Sequence, residues 1–257
     1  MIYMALKKFL INQLINFLEQ PSFHLTSPPT HSIELLKKTL RPGDVLLVEG
    51  QQRFSTAIKY LTQSNWSHAA LYIGGNELIE ADLKEGVIRI PVDTYQGFHT
   101  RICRPVNLQP EHLEKIIASL VQKQGLSYDI INIINLLKYL IPVHPFKKLK
   151  GSAFISLGSD DPTKVICSSI IAQAYHDVGY PIFPIVRNVE GQRRYAKKHV
   201  STYVPSDFDR SPYFRIVKPS LEHEFDYRKV PWVKEFKDEI KPQPLELNQE
   251  VDKLEEA

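Results

Sequence analysis

The sequence predicts a mixed α+β domain with a largely antiparallel sheet, and three features of the chain predict it. Short β-branched or alternating runs cover 44–48, 68–73, 78–82, 87–92 and 100–106, divided by glycine-containing turns such as Gly74-Gly75-Asn76. Runs with helical spacing of apolar residues flank that block on both sides. The connections are too short for parallel crossovers, and 257 residues with 43% hydrophobic content can bury one substantial core.

Taken in order, Tyr3, Leu6, Leu10, Leu14 and Phe17 recur at helical spacing and predict an amphipathic helix over 3–19, stopped by Pro21. Such a helix either docks on the domain or lies in a membrane interface. A proline-rich connector follows, and Ser32 is placed to cap a short helix over 33–40 that Arg41-Pro42-Gly43 ends. Between the first two strands, residues 53–64 read as a helix that carries the chain back across the sheet. Pro110 opens a helix with Leu113, Ile116, Ile117, Leu120 and Val121 on one face, and 130–140 is apolar nearly all round, so it is buried or lines a greasy pocket. A further helix starts near Cys167, with Ile170, Ile171, Ala174 and Val178 as its stripe and Gly179 as its stop. The organisation expected is an N-terminal helix and connector (1–32), one folded domain (33–230) and a charged tail (231–257).

Thirty-two basic residues against 29 acidic ones give a net charge of +3, too balanced for a nucleic-acid partner to be expected. Two cysteines, Cys103 and Cys167, supply neither a disulfide framework nor a structural zinc site, so a reduced compartment fits and no cofactor is expected. A Cys-His pair alone lacks enough ligands to hold zinc firmly. No apolar run is long enough to span a bilayer, and lysines and asparagines interrupt the would-be signal region. The expected location is cytoplasmic or peripheral to a membrane, with contact through the N-terminal helix and export by another route left open. Asn65-Trp66-Ser67 forms a glycosylation sequon that would crowd His68 in a eukaryotic secretory pathway; a bacterial or cytosolic setting avoids this.

A cysteine nucleophile needs its thiolate form, which a helix N-terminus and a nearby imidazolium both favour. Cys167 sits where such a helix begins, and the small Ser168 and Ser169 leave first-turn N–H groups, that of Cys167 first, accessible to an oxyanion. Of nine histidines, His68 opens a strand that would hold its ring as general base, with His99 as the rival. Glu80, in the next strand of the same hairpin, could orient that ring. Read as residues alone, each of the three is as well explained by packing or solvation.

The succession RPGDVLLVEG, SNWSHAALYIG, ELIEAD with GVIRIPV, SYD, VICSSIIAQAY and VPSDFDRSPYFRIV resembles the permuted papain-like amidases of the YiiX/YaeF kind, within the wider NlpC-type superfamily. The resemblance covers roughly residues 40 to 218. It implies a permuted papain-like fold, an antiparallel sheet or barrel packed against helices, with histidine ahead of cysteine along the chain. It also places His68, Glu80 and Cys167 on the family's catalytic positions and adds Tyr128 as a hydroxyl near the pocket. Asp44 is expected in a turn rather than in the site.

The expected activity is a cysteine-dependent hydrolase, an amidase, peptidase or acyl hydrolase working through a thioester. The alternatives are an acyltransferase acting on lipids with the same triad, and a non-catalytic lipid- or peptide-binding module. An acyl, peptide or lipid substrate is expected, and the oligomeric state stays open. The apolar 130–140 run and the basic stretches KKLK and RRYAKKH lean towards lipid, although a buried helix and solvated loops explain them equally.

Overall fold

The computed structural model describes residues 31–82, 85–126, 166–189 and 191–223, with a few isolated positions beyond them. The predicted helices over 3–19 and 130–140, Tyr128 and the tail beyond Trp232 lie outside the described residues. Two compact units divide the chain, 1–223 and 224–257; in the second, Asp226 and Arg228 form a surface ion pair at 2.8 Å.

The first helix, α1 (Ile33–Thr39), starts at Ser32, whose Oγ accepts from the Leu35 N–H as a cap, and Glu34 and Lys37–Lys38 complement its dipole. After the Pro-Gly turn come β1 (Val45–Val48), α2 (Arg53–Thr62), β2 (His68–Gly74), β3 (Glu77–Asp82), β4 (Gly86–Pro91) and β5 (Thr100–Pro105). Next are α3 (Pro110–Gln122), α4 (Ile166–Asp177) and a hairpin of β6 (Ile185–Val189) and β7 (Gln192–Ala196). The unit closes with α5 (Pro205–Asp209), β8 (Phe214–Val217) and a single turn, α6 (Pro219–Glu222).

Six strands form one sheet in the order β4-β3-β2-β1-β5-β8, every pair antiparallel. This is the expected α+β class. The sheet stays open with β4 and β8 at its edges, so the barrel alternative does not hold. Gly75 and Asn76, at φ 61° and 62°, make the turn between β2 and β3, a conformation that favours glycine and asparagine.

Both faces of the sheet are buried, which is why β1 reads as unbroken VLLV instead of alternating. Val45, Leu47, Ala69, Leu71, Ile79 and Cys103 meet Ile116 and Leu120 of α3 and Ile171, Ala174 and Tyr175 of α4. Leu46, Val48, Ala70, Tyr72, Leu78 and Ile102 pack beneath Ile33, Leu36, Val92 and Tyr95 on the other side.

The Pro-Gly-Asp turn carries two anchors. The Asp44 carboxylate, 1% exposed, accepts from the Arg41 N–H at 2.8 Å and from Arg104 Nε and Nη2 at 2.8 and 2.7 Å. Tyr175 of α4 donates its hydroxyl to the Gly43 carbonyl at 2.6 Å, fastening the α4 helix to the start of β1. Removing one partner from a buried ion pair strands the other charge, so Asp44→Ala is expected to cost about 3–5 kcal/mol, read as a lowered urea midpoint.

Candidate active site

His68 opens β2, Glu80 lies in β3, and continuing the Leu71–Ile79 register places both side chains on one face, diagonal across the pair. His68 Nε2 and Glu80 Oε2 are 3.0 Å apart. The Cys167 sulfur acts on the same ring through its charge and a hydrogen bond. Cys167 stands in the first turn of α4, 5% exposed. All three side chains line a single cavity of about 470 Å³.

The walls of that cavity are largely apolar: Val48, Phe54, Ile58, Ala81, Tyr95 and Phe98 contribute, with Gln51, Gln52 and Ser55 as neutral polar groups. Its charged members among the described residues are His68, Glu80 and Asp82.

Burial alone would drive the His68 ring neutral. The Glu80 carboxylate, and after it the Cys167 sulfur, outweigh that effect and hold the ring protonated well above the ordinary imidazole value of 6.5. Burial likewise pushes Glu80 upward, but the charge and hydrogen bond of His68 and the Tyr95 hydroxyl prevail, leaving it below the ordinary 4.5. Tyr95 donates to Glu80 Oε2. Burial and that carboxylate push the Tyr95 hydroxyl well above 10.0, so it remains a donor.

The approach to His68 is fixed from behind. Trp66 Nε1 donates to Asp209 Oδ2 at 3.1 Å, and Arg101 donates to both Asp209 oxygens while its guanidinium lies 4.9 Å over the Trp66 ring. Ser67 Oγ accepts from the Gly50 N–H at 2.9 Å. A Cβ on Gly50 would sit 2.2 Å from Ser55 Oγ, so only glycine fits where the end of β1 passes the start of α2.

The structure brings Cys167, His68 and Glu80 together. It does not bring Ser168 to the cavity: that side chain is fully buried and donates to the Tyr203 carbonyl at 2.6 Å, so only its backbone could face an oxyanion. His99 is paired with Glu49 Oε2 at 2.9 Å and stacks near Trp66, outside the cavity lining. Cys103 and Cys167 are both free, and Cys103 is a core residue whose thiol burial pushes well above 9.0. Tyr128 lies outside the described residues. Tyr95 and Asp209 are the residues that sequence reasoning missed, since neither stands in a motif that announces its partner.

No family model matches the chain. It is 23% identical over 176 residues to a protein named as a probable lipoprotein peptidase, YaeF of Escherichia coli (strain K12), across 62% of this chain and 64% of that one. The aligned part thus falls short of two thirds of that relative's length. A crystal structure of the metalloprotein YiiX from Escherichia coli O157:H7 overlaps 69% of this chain and 96% of its own, with TM-score 0.43 and 14% identity. At low identity, then, the chain is similar to a protein of the YiiX/YaeF kind that its motifs resemble. Among the described residues no group of three or more His, Cys, Asp or Glu is arranged to hold a metal ion, and no described helix is long and apolar enough to cross a membrane.

The two shifts give the His68–Glu80 pair a pH signature. The raised His68 value contributes stability that is complete below 6.5 and is lost as pH rises through the folded value. The depressed Glu80 value contributes stability present above 4.5 and lost as pH falls through its folded value. The stability gap between wild type and Glu80→Gln should therefore be wider near pH 5.5 than near pH 9.5 in urea titrations. A gap that is constant or widens with pH contradicts the charged pair.

Proposed function

We propose that the protein is a cysteine-dependent hydrolase of the permuted papain-like kind, an amidase, peptidase or acyl hydrolase acting through a thioester at Cys167. The observation that carries this reading is the contact of the Cys167 sulfur with a ring whose Nε2 is held by a buried glutamate. A histidine in that position can take the thiol proton, and the helix N-terminus favours the sulfur anion that results.

The sequence of steps follows from these positions. With the thiol proton already resting on His68, the Cys167 sulfur attacks the substrate carbonyl carbon, forming a C–S bond and an oxyanion. The Cys167 backbone N–H, in the first turn of α4, is the nearest candidate donor to that oxyanion. Collapse breaks the C–N or C–O bond, and the leaving amine or alcohol takes the proton from His68. Water then gives a proton to His68 and attacks the thioester, and collapse breaks the C–S bond, releasing the acid and leaving the proton on His68 beside the sulfur. Glu80 stabilises the imidazolium throughout and Tyr95 keeps Glu80 in place. An amine or alcohol in place of water would make the same site an acyltransferase.

Alkylation tests the reading directly. Iodoacetamide should label Cys167 much faster than Cys103, which is fully buried in the sheet. Glu80→Gln should slow labelling at neutral pH by roughly tenfold for each pK unit by which the ring's charge is destabilised. Incubation with a panel of ester and amide substrates should leave an acyl adduct on residue 167, seen by mass spectrometry and absent in Cys167→Ala. Equally slow labelling of both cysteines, with no adduct, would leave a binding module instead.

A further inference from the structure

The second sheet of the protein lies apart from the site. β6 and β7 pair with each other and with no further strand among the described residues, and all five β7 residues are exposed. The register sets Arg187 directly opposite Arg194, with Ile185 and Ala196 on the same face, and Val186 opposite Tyr195 on the other face, which Arg193 and Asn188 share. Like charges directly opposite one another weaken a strand pair. Neither Arg187 nor Arg194 has an acidic partner among the described residues, and neither does Arg193.

Two further observations single the hairpin out. Residues 185–198 hold Arg187, Arg193, Arg194, Lys197 and Lys198 against the lone acid Glu190, five less one, or a formal +4, of which Lys198 is paired with Asp207 at 2.7 Å. Interleaved with the cations are Ile185, Val186 and Tyr195, exposed by 42%, 53% and 61%. Large apolar side chains are costly in water, and an exposed two-stranded ribbon gains little from its own burial.

We propose that the β6–β7 hairpin docks on an anionic lipid surface. Headgroup phosphates meet Arg193 on the face that carries Val186 and Tyr195, which enter the headgroup–acyl boundary where an aromatic ring with a polar end is favoured, while Arg187 and Arg194 on the opposite face add attraction to the anionic surface. Apolar and aromatic side chains among the cations distinguish this surface from a plain polyanion site, whose ligand would offer nothing to Val186. The inference is independent of the proposed chemistry at Cys167.

Co-sedimentation of the full chain with vesicles of phosphatidylcholine, with and without phosphatidylglycerol, tests it, heparin binding being measured in parallel. Wild type should bind the anionic vesicles and not the neutral ones, losing binding as salt rises. At roughly fivefold per cation, Arg187→Gln, Arg193→Gln and Arg194→Gln together should weaken partitioning by about 100-fold, and the corresponding triple change to Lys should retain it. Val186→Ser with Tyr195→Ser should weaken vesicle binding while leaving heparin binding unchanged. All these positions are exposed, and thermal melting checks that each variant is folded. Failure of wild type to bind anionic vesicles overturns the proposal. So does equal binding by the glutamine variant, which would assign the affinity to another part of the chain, or indifference of vesicle binding to the serine pair, which would assign it to polyanions in general.

Discussion

A protonated imidazole in a largely apolar cavity is the constraint on which the rest of the site depends. His68 can carry a proton in that setting because the Glu80 carboxylate holds its Nε2 and the Cys167 sulfur also favours the charged ring. Desolvation opposes the charge, so the ring stays charged only while both neighbours remain in place. The precision has to come from elements more rigid than the side chains themselves. The β2–β3 register supplies it for Glu80, and the fastening of α4 to Gly43 by Tyr175 and to Tyr203 by Ser168 supplies it for Cys167.

That arrangement spans the whole domain. Trp66, two residues before His68, is held by Asp209 at the end of α5, and Arg101 of β5 closes the same group from above. The segment that includes α5 and β8 therefore does more than complete the sheet edge. It fixes the backbone that presents the base, across 143 residues of chain. Glu49, one residue beyond β1, makes a comparable node with His99 and Lys59. Burial pushes its carboxyl up, and hydrogen bonds from His99, Ser27 and Lys59 bring it below the ordinary value, so it stays an anion that ties β1 to α2.

How far the sequence reveals this depends on the range of each interaction. The His68–Glu80 relation is local: twelve residues, a Gly-Gly-Asn turn and strand alternation suffice to place both on one face. The start of α4 is equally readable, because its apolar stripe begins at a definite residue. Ser168 shows the limit of that reading, since a small polar residue beside a nucleophile looks accessible, whereas one step around the helix turns it into the core. The Tyr95–Glu80 and Trp66–Asp209 contacts follow from packing that no spacing encodes. The β6–β7 hairpin is hidden for a different reason: charged residues interrupt its alternation, so by propensity it reads as solvated loop.

The two cysteines show why placement, not residue type, decides the chemistry. Cys103 sits mid-strand with both sheet neighbours paired, surrounded by aliphatic side chains and fully excluded from water, and burial raises its thiol far from reactivity. Cys167 is nearly as buried by area, yet it lies at a helix start against a cationic ring and opens on a cavity. Exposure alone would hardly separate them. What separates them is the charge each environment can stabilise: the described cavity wall sets one cation, His68, against the Cys167 sulfur, while Glu80 and Asp82 make the rest of its charge negative.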